Sequence, residues 1–268
     1  MQKIQTQGLT LYKFNHLLGH SSLIHCVTAR PGGVSAGSYA LLNLGFKSGD
    51  NQQNVVTNRR RVCEALGIKI DTLTLGQQVH GSTIRVVTQD DRGRGALDIK
   101  SAFPGIDALI TQAEDIALMA QSADCPLIIG YAPDKKVITV IHASWRSMSQ
   151  GIIPQTIKLM NQQFGIAPAG ILAGVSPSIG PCCYEVKDDF IKAMQAYTKR
   201  AGDFIRLRQE KTYFDLWAMA RNELIKSGLK PEHIEVAGMC TSCQPDLFYS
   251  YRRDGSKTGR FGALIYQK

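Results

Sequence analysis

The sequence predicts a single α+β domain over residues 1–268, a layered α/β sandwich built around one large mixed sheet. Three observations support this fold class. Short apolar, β-branched runs mix with segments of helical periodicity, without a regular βαβ alternation. No internal repeat, low-complexity tract or linker-like stretch divides the chain. The composition, with 44% hydrophobic and 20% charged residues, is that of a globular protein.

Seven segments are predicted to form strands, because each is short, apolar and bounded by turn residues. They span residues 83–88, 108–111, 126–131, 137–143, 171–175, 234–236 and 262–267. Four further segments have the apolar spacing of amphipathic helices, namely residues 51–66, 150–164, 187–196 and 215–226. Gly67 and Gly228 follow two of them, and helices commonly end at a glycine. Because no glycine-rich dinucleotide motif or Walker A loop is present, the sequence does not predict a nucleotide-binding Rossmann or P-loop fold.

The charge and composition limit the partners of the protein. A net charge of +9 suits nucleic acid or a small anion, but aromatic residues make up only 7% and no nucleic-acid module is recognisable. We therefore expect an anion such as phosphate and no nucleic acid. No apolar run reaches the ~18–20 residues that span a bilayer. Since no secretory signal pattern is visible, we expect a cytoplasmic location and seven reduced cysteines.

The most informative segment is a predicted hairpin that brings Cys125 close to His142. Two apolar runs, 126–131 and 137–143, flank the polar turn 133–136. A two-residue turn would place Cys125 directly opposite His142. A four-residue turn would place Cys125 opposite Ser144, two positions from His142. Directly opposed residues have Cβ atoms ~4.5–5.5 Å apart. Such a pair can ligate one metal ion, or it can act as a thiol and its base.

His80 is a third candidate ligand. It lies just before a predicted strand, and Gly81 beside it allows a close backbone approach. The alternative is a histidine in a surface turn. Zinc accepts thiolate and imidazole, and three protein ligands leave a fourth position open for water or substrate. Copper is less favoured as the native metal, because multicopper centres need many histidines and the chain has six, which are scattered.

A second group of cysteines contains the C-x-x-C pair Cys240 and Cys243, together with Cys182 and Cys183. A single C-x-x-C lacks the paired spacing that makes a zinc motif specific, and adjacent cysteines chelate poorly. A redox role lacks the βαβ surroundings of thioredoxin-like proteins. The favoured interpretation is therefore small, buried residues in a loop rich in glycine and proline.

Several motifs occur in order over nearly the whole chain. They include Gln78-Val79-His80-Gly81, Ala123-Asp124-Cys125-Pro126 and His142-Ala143-Ser144-Trp145-Arg146, with further matches at 30–35, 107–109, 177–186 and 248–254. Together these motifs resemble the laccase-domain family, whose members are described as multicopper polyphenol oxidases and as purine nucleoside phosphorylases. One departure is that Ser144 and Ser147 stand where the family has glycines, which leaves the pocket shape and substrate preference beside the metal open.

The resemblance implies an α/β sandwich shared with certain bacterial toxin deamidase domains. It also implies zinc on His80, Cys125 and His142. The implied activity is phosphate-dependent cleavage of adenosine, inosine, guanosine and methylthioadenosine to the free base and ribose 1-phosphate. Adenosine deamination is a further implied activity, and copper-dependent polyphenol oxidation is the older family label.

Phosphorolysis requires phosphate to be held against C1′ of the ribose while the purine leaves. Arginine suits phosphate because its planar fork makes two contacts at once. We expect catalytic roles for Cys125 and His142, with Arg146 binding phosphate and Asp124 carrying a proton. The expected substrate contacts are Arg30, Ser35, Asn43, Arg59 and Gln78.

Other functions remain open at this point. A metal-free hydrolase or deamidase would use Cys125 as nucleophile and His142 as base, and would leave His80 without a role. A non-catalytic protein would use the same pocket to bind a nucleoside or a peptidoglycan precursor. The sequence leaves the oligomeric state open, and a monomer is compatible with it.

Overall fold

Fifteen strands and six α-helices make up the computed structural model, which describes all residues from 1 to 268. The strands are β1 Gln2–Thr6, β2 Leu9–Lys13, β3 Leu23–Thr28, β4 Leu73–Gln77, β5 Ile84–Val86, β6 Phe103–Pro104, β7 Ala108–Thr111, β8 Ile116–Ser122, β9 Leu127–Ala132, β10 Val137–His142, β11 Leu172–Val175, β12 Ile205–Arg208, β13 Lys211–Phe214, β14 Ile234–Val236 and β15 Phe261–Gln267. The helices are α1 Gln52–Leu66, α2 Trp145–Ser149, α3 Ile152–Phe164, α4 Asp188–Tyr197, α5 Leu216–Lys226 and α6 Tyr251–Asp254.

The strands form two large mixed sheets where the sequence predicted one. One sheet has seven strands in the order β1-β2-β3-β15-β8-β4-β6, and the other has six in the order β14-β11-β9-β10-β7-β5. The remaining two strands, β12 and β13, form a hairpin of their own. All six strands of the six-stranded sheet were predicted, whereas β15 is the only predicted strand of the seven-stranded one. The prediction of a single large sheet was therefore wrong, since it described one of two.

Two of the unpredicted strands, β8 and β1, have sequences that give little local signal for a strand. β8 has the sequence IALMAQS, in which Ala, Leu, Met and Gln favour helices, yet it lies between β15 and β4 and is almost fully buried. β1 is a largely polar edge strand with the sequence QKIQT. Long-range pairing therefore overrides local propensity in this sheet.

The elements stack in four layers, so the predicted mixed α/β sandwich is confirmed. One core lies between the two sheets and contains Leu118 of β8 and Val140 of β10. A second packs Ile141 of β10 against α3 and α5, and a third packs Met119 of β8 against Val62 of α1. The four predicted helices are found as α1, α3, α4 and α5, with ends shifted by no more than two residues. The likeness to toxin deamidase domains and the single-domain boundary stay predictions.

Helix α1 is capped at both ends, and it ends at Gly67 as the sequence predicts. The side chain of Asn51 accepts a hydrogen bond from the N–H of Gln53 at the start of the helix, and Gly67 ends it in the left-handed conformation with φ 68°. None of the helices in the chain has the length and hydrophobicity needed to span a lipid bilayer.

We predict that protonation of His25 in β3 destabilises the fold at acidic pH. His25 is 2% exposed, and its Nε2 accepts a hydrogen bond from the N–H of Phe14 at 2.9 Å, so the ring is neutral. Burial, assisted by the charge of Lys13, lowers the pKa of His25 from 6.5 to about 4. Because the folded-state pKa is depressed, this stabilisation is present above pH 6.5 and is lost as the pH falls toward 4. The loss should be about 2 kcal/mol between pH 7 and pH 5.

Urea unfolding of the wild type and of His25→Gln at both pH values measures this effect. Gln cannot gain a proton, so the variant should lose less stability than the wild type as the pH falls. Equal losses in the two proteins would contradict the assignment to His25.

Candidate metal centre

The β9–β10 hairpin has the longer of the two turns that the sequence allowed. Val137 pairs with Ala132 and His142 pairs with Leu127, so the turn contains residues 133–136. Lys136 ends this turn with φ 50°, in the left-handed region. Cys125 consequently lies two positions beyond the residue that faces His142, at the open end of the hairpin.

His80 joins this pair from the loop that follows β4. One ligand atom from each of His80, Cys125 and His142 lies within 4.8 Å of the others, and the two imidazole rings are 4.9 Å apart at 73°. Tetrahedral zinc, with bonds of about 2.0–2.3 Å, requires ligand atoms about 3.3–3.7 Å apart, and small side-chain adjustments reach this spacing. The donor set therefore fits one metal ion. His142 is buried whereas His80 is exposed, so one side of the group faces solvent.

Asp107, directly before β7, fixes two of the three ligands. Its Oδ1 contacts Nδ1 of His142 at 2.8 Å and accepts from the N–H of His80 at 3.0 Å. Its Oδ2 accepts from the N–H groups of Val79 and Gly81 at 3.1 and 2.9 Å. Because the aspartate engages Nδ1, Nε2 of His142 is left free for a metal. The same carboxylate holds His80 at φ 62°, a left-handed conformation that the three N–H contacts stabilise.

The electrostatics of the group favour a thiolate. Burial acts to raise the pKa of the Cys125 thiol, but hydrogen bonds with His142 and His80 outweigh it and lower the pKa to about 6. Burial likewise acts to lower the pKa of His142, but Asp107 and Cys125 outweigh it and raise the pKa to about 9. The thiolate is the form that ligates metals and the form that acts as a nucleophile.

The three residues lie in the wall of a cavity of about 550 Å³. Four cationic side chains line this cavity, and the carboxylate of Asp124 is its only acidic group. The cations are Lys47, Arg146, Arg252 and Arg260, and the aromatic lining residues are Phe46, Trp145, Tyr184 and Tyr251. Positive charge beside flat apolar faces suits a ligand that combines an anion with an aromatic ring.

Three of the predicted site residues besides the ligands line this cavity, and they are Gln78, Asp124 and Arg146. The guanidinium of Arg146 lies 4.4 Å from the Trp145 ring and makes no hydrogen bond or ion pair within the chain. The amide of Gln78, by contrast, pairs with the backbone of Gln121, donating at 2.8 Å and accepting at 2.9 Å. Arg146 therefore has free hydrogen-bonding capacity toward a ligand, whereas Gln78 is held by the protein.

The carboxylate of Asp124, the predicted proton carrier, is hydrogen-bonded within the protein. Its Oδ1 accepts from the hydroxyl of Thr241 at 2.6 Å, and its Oδ2 accepts from the N–H of Arg252 at 2.7 Å. The residue is 8% exposed and has φ 107°. Both oxygens are occupied in joining the cysteine-bearing loop to the segment around 241–252.

Four other residues that were predicted to contact the substrate lie outside the cavity lining. Arg59 is 2% exposed and donates to the carbonyls of Leu44, Gly95 and Ala96, so the expectation that it contacts substrate was wrong. Arg30 donates to the carbonyls of Ala40 and Pro245 and lies over the ring of Tyr249.

The two small polar residues of that set are also corrected. Ser35 is buried and donates to Oδ2 of Asp50 at 2.6 Å. Asn43 is fully buried, donates to the same oxygen at 2.9 Å and accepts from the N–H of Arg260 at 2.8 Å. Both side chains stabilise the loop around Asp50, which leaves them no contact with a ligand in the cavity.

Ser144 and Ser147, which depart from the family pattern, lie behind the cavity wall. Both are fully buried, and their hydroxyl oxygens lie 2.6 Å apart. Ser144 caps the short helix α2 by accepting from the N–H of Ser147. Neither residue lines the cavity.

Sequence reasoning missed Asp107 and three of the four cavity cations. Asp107 carried a usable signal, because it is an acidic residue directly before a predicted buried strand. Arg252 is part of a visible basic pair, whereas Lys47 and Arg260 have no local signature. Only the folded structure shows that Lys47 and Arg260 line the cavity.

Comparisons with known proteins show what the whole chain is similar to. A family model described as multi-copper polyphenol oxidoreductase laccase matches residues 24–268. Purine nucleoside phosphorylase YlmD of Geobacillus stearothermophilus is 36% identical over 241 residues, which cover 89% of this chain and 88% of the relative. Adenosine deaminase RL5, from an unknown prokaryotic organism, is 30% identical over 236 residues, or 86% of this chain and 88% of that protein. The crystal structure of YlmD from Geobacillus stearothermophilus is similar with a TM-score of 0.93 at 34% identity, over 99% of this chain and 98% of that chain.

Proposed function

The chain belongs to the family described as multi-copper polyphenol oxidoreductase laccase, and we propose that it is a zinc-dependent purine nucleoside phosphorylase. The observation that carries this proposal is a Cys/His/His ligand group in a cavity lined by four cations and four aromatic rings. Curated relatives named purine nucleoside phosphorylase support the same reaction class. Adenosine, inosine, guanosine and methylthioadenosine are the proposed nucleosides.

Phosphorolysis forms a bond between a phosphate oxygen and C1′ while the bond from C1′ to the purine breaks. The purine keeps the electron pair and takes up a proton, and the sugar leaves as ribose 1-phosphate. In our proposal, Arg146 and Lys47 bind the phosphate, because neither side chain has a partner within the protein. The rings of Phe46, Trp145 and Tyr184 provide apolar faces for the purine.

His80, Cys125 and His142 would hold the zinc ion, and Asp107 would keep His142 in the tautomer that binds it. Bound zinc supplies a Lewis acid for an oxygen of the phosphate or the ribose. We do not propose copper oxidation, because this group offers one thiolate and two imidazoles, whereas multicopper centres need many histidines.

Adenosine deamination is the second candidate activity, supported by the relative named adenosine deaminase RL5. The same cavity would bind adenosine, and water would replace the amino group at C6. We further propose that the protein acts in the cytoplasm on small molecules, without a nucleic-acid partner.

Incubation with a panel of purine nucleosides, with and without inorganic phosphate, tests the proposed function. We expect free base and ribose 1-phosphate only when phosphate is present. Inosine formed from adenosine without phosphate would identify the deaminase activity. If no nucleoside is consumed by zinc-loaded protein under either condition, the proposed function is wrong.

We predict that Arg146→Ala weakens phosphate binding more than nucleoside binding. A hydrogen bond to a charged group contributes about 1.5–3 kcal/mol, so the KM for phosphate should rise about 10–100-fold. The KM for inosine should change little, and Arg146→Lys should recover part of the effect because it keeps the charge. Steady-state kinetics with each substrate varied in turn measures both constants.

Arg221→Ala is the matched control, because Arg221 is an exposed arginine on α5 that makes no hydrogen bond or ion pair through its side chain. Its kinetic constants should equal those of the wild type. An unchanged KM for phosphate in Arg146→Ala would remove Arg146 from the phosphate site.

A further inference from the structure

Four cysteines from two distant segments meet in one cluster outside the catalytic cavity. One sulfur atom from each of Cys182, Cys183, Cys240 and Cys243 lies within 4.8 Å of all the others. Sγ of Cys243 is 3.5 Å from Sγ of Cys182 and 3.3 Å from Sγ of Cys183. The interpretation of these residues as small core side chains was wrong, because Cys182 and Cys243 are exposed and only Cys240 is buried.

We propose that this four-cysteine cluster binds a single zinc ion in a structural site, separate from the ion at His80, Cys125 and His142. Tetrahedral zinc has Zn–S bonds of about 2.3 Å, which sets the sulfur atoms about 3.8 Å apart. The cluster is already near this spacing. Four thiolates also complete the coordination of zinc and leave no open position, which is typical of structural sites.

Two other fates of the thiols fit the geometry less well. A disulfide requires about 2.05 Å between two sulfur atoms and would leave the other two cysteines unpaired. An iron–sulfur cluster attaches its cysteines to different irons, which would spread the sulfur atoms more widely than the 4.8 Å observed. A single thiophilic ion uses all four cysteines at once.

The adjacent residues Cys182 and Cys183 lie in a tight turn. Because of this turn, both can bind one ion, although adjacent cysteines usually chelate poorly. The N–H groups of Cys183 and Tyr184 both donate to the carbonyl of Gly180, at 3.0 and 2.9 Å. A Cβ atom at Gly180 would lie 2.6 Å from the ring of Trp217, so only glycine fits there. The turn directs both thiols toward the opposing C-x-x-C.

A backbone N–H group and two arginines contribute to the environment of the cluster. The N–H of Gly180 donates to Sγ of Cys240 at 3.2 Å. Four thiolates with Zn²⁺ carry a net charge of −2, and Arg252 and Arg253 contact the backbone of the same two loops. The two guanidinium groups therefore bring positive charge to the loops that carry the thiolates.

The proposed zinc ion would link two chain segments that form part of the wall of the catalytic cavity. The first segment carries Tyr184, and the second continues to Tyr251 and Arg252, all of which line the cavity. Without the ion, these segments are joined by the short bridge between Ser178 and Cys240 and by the contacts of Arg252 with the carbonyls of Cys183 and Glu185. Zinc at the cluster would therefore hold the cavity wall together.

Metal analysis of protein loaded with Zn²⁺ under reducing conditions and freed of excess ion tests the proposal. We expect two zinc ions per wild-type chain, one in Cys243→Ala and one in His80→Ala. X-ray absorption of His80→Ala should show zinc with sulfur ligands only, at about 2.3 Å. Cys63→Ala is the matched control, because Cys63 is a buried cysteine on α1 outside both groups, and it should keep two ions.

Absence of zinc from His80→Ala, or two ions retained in Cys243→Ala, would overturn the proposal. A disulfide among these cysteines in the zinc-loaded protein would also overturn it. Circular dichroism establishes that each variant is folded, and the absorption measurement on His80→Ala leaves the cluster itself unaltered. The zinc content and the absorption spectrum of His80→Ala report on the cluster alone, so these two measurements can fail or succeed independently of the proposed function.

Discussion

Cys125→Ala should lose both the metal ion of the catalytic group and the phosphorolytic activity. The thiolate is the only anionic ligand of the group, so its removal leaves two imidazoles, one of them exposed. Metal-ion stabilisation of a transition state is worth several kcal/mol, and a loss of about 4 kcal/mol corresponds to about 10³-fold in rate. The fold should persist, because Cys125 is only partly buried and lies outside the strands.

Metal content and initial rates with inosine and phosphate measure the two effects together. The zinc content should fall by one ion per chain. Cys63→Ala makes the same chemical change inside the core and should keep both zinc and activity. Full turnover by Cys125→Ala would refute the assignment of this site.

The same variant separates the zinc enzyme from a metal-free cysteine hydrolase when it is compared with His80→Ala. In the zinc enzyme, His80 is a ligand, so its removal should also reduce metal content and rate. In a metal-free enzyme, Cys125 and His142 suffice, and the variant at His80 should retain its rate. Loss of activity in Cys125→Ala with a full rate in His80→Ala would therefore favour the metal-free mechanism.

The hairpin that carries Cys125 and His142 was predictable because its signal is local. Two apolar runs flank a polar turn, and any register of this hairpin keeps the two residues close. The exact register was not predictable, since Lys136 adopts φ 50° without being one of the residue types that favour it. The distance between the metal ligands thus depended on a conformation that tertiary packing selects.

Most of the seven-stranded sheet could not be predicted from local sequence patterns, because its strands depend on distant pairing. β8 is formed from helix-favouring residues, and its strand conformation depends on pairing with β15, more than a hundred residues away in the chain. The cationic residues of the cavity could not be identified from local sequence either. Arg59 and Arg146 look alike in sequence, but the first satisfies buried carbonyls whereas the second has no partner. Only the folded chain distinguishes them.

Asp107→Asn should weaken metal binding at the catalytic group by about 10–100-fold, the range typical of carboxylates that orient histidine ligands. The aspartate accepts from the N–H groups of Val79, His80 and Gly81 and also contacts His142. Asparagine has the same shape but only one accepting oxygen. Its NH₂ group would face two donors in either orientation. We therefore expect a loss of about 2–4 kcal/mol of stability as well, because buried donors are left without acceptors.

Titration of metal-free protein with Zn²⁺, followed by activity and by thermal unfolding, distinguishes the two effects. If Asp107 acts by positioning His142 and His80, excess zinc should restore most of the activity of Asp107→Asn while its melting temperature stays below that of the wild type. Asp90→Asn is the matched control, because Asp90 is exposed and its side chain makes no hydrogen bond. Wild-type zinc affinity in Asp107→Asn would show that the aspartate only holds the loop. The assignment of His142 Nε2 as the metal-binding atom would then lose its main structural support, because that atom is free only if Asp107 engages Nδ1.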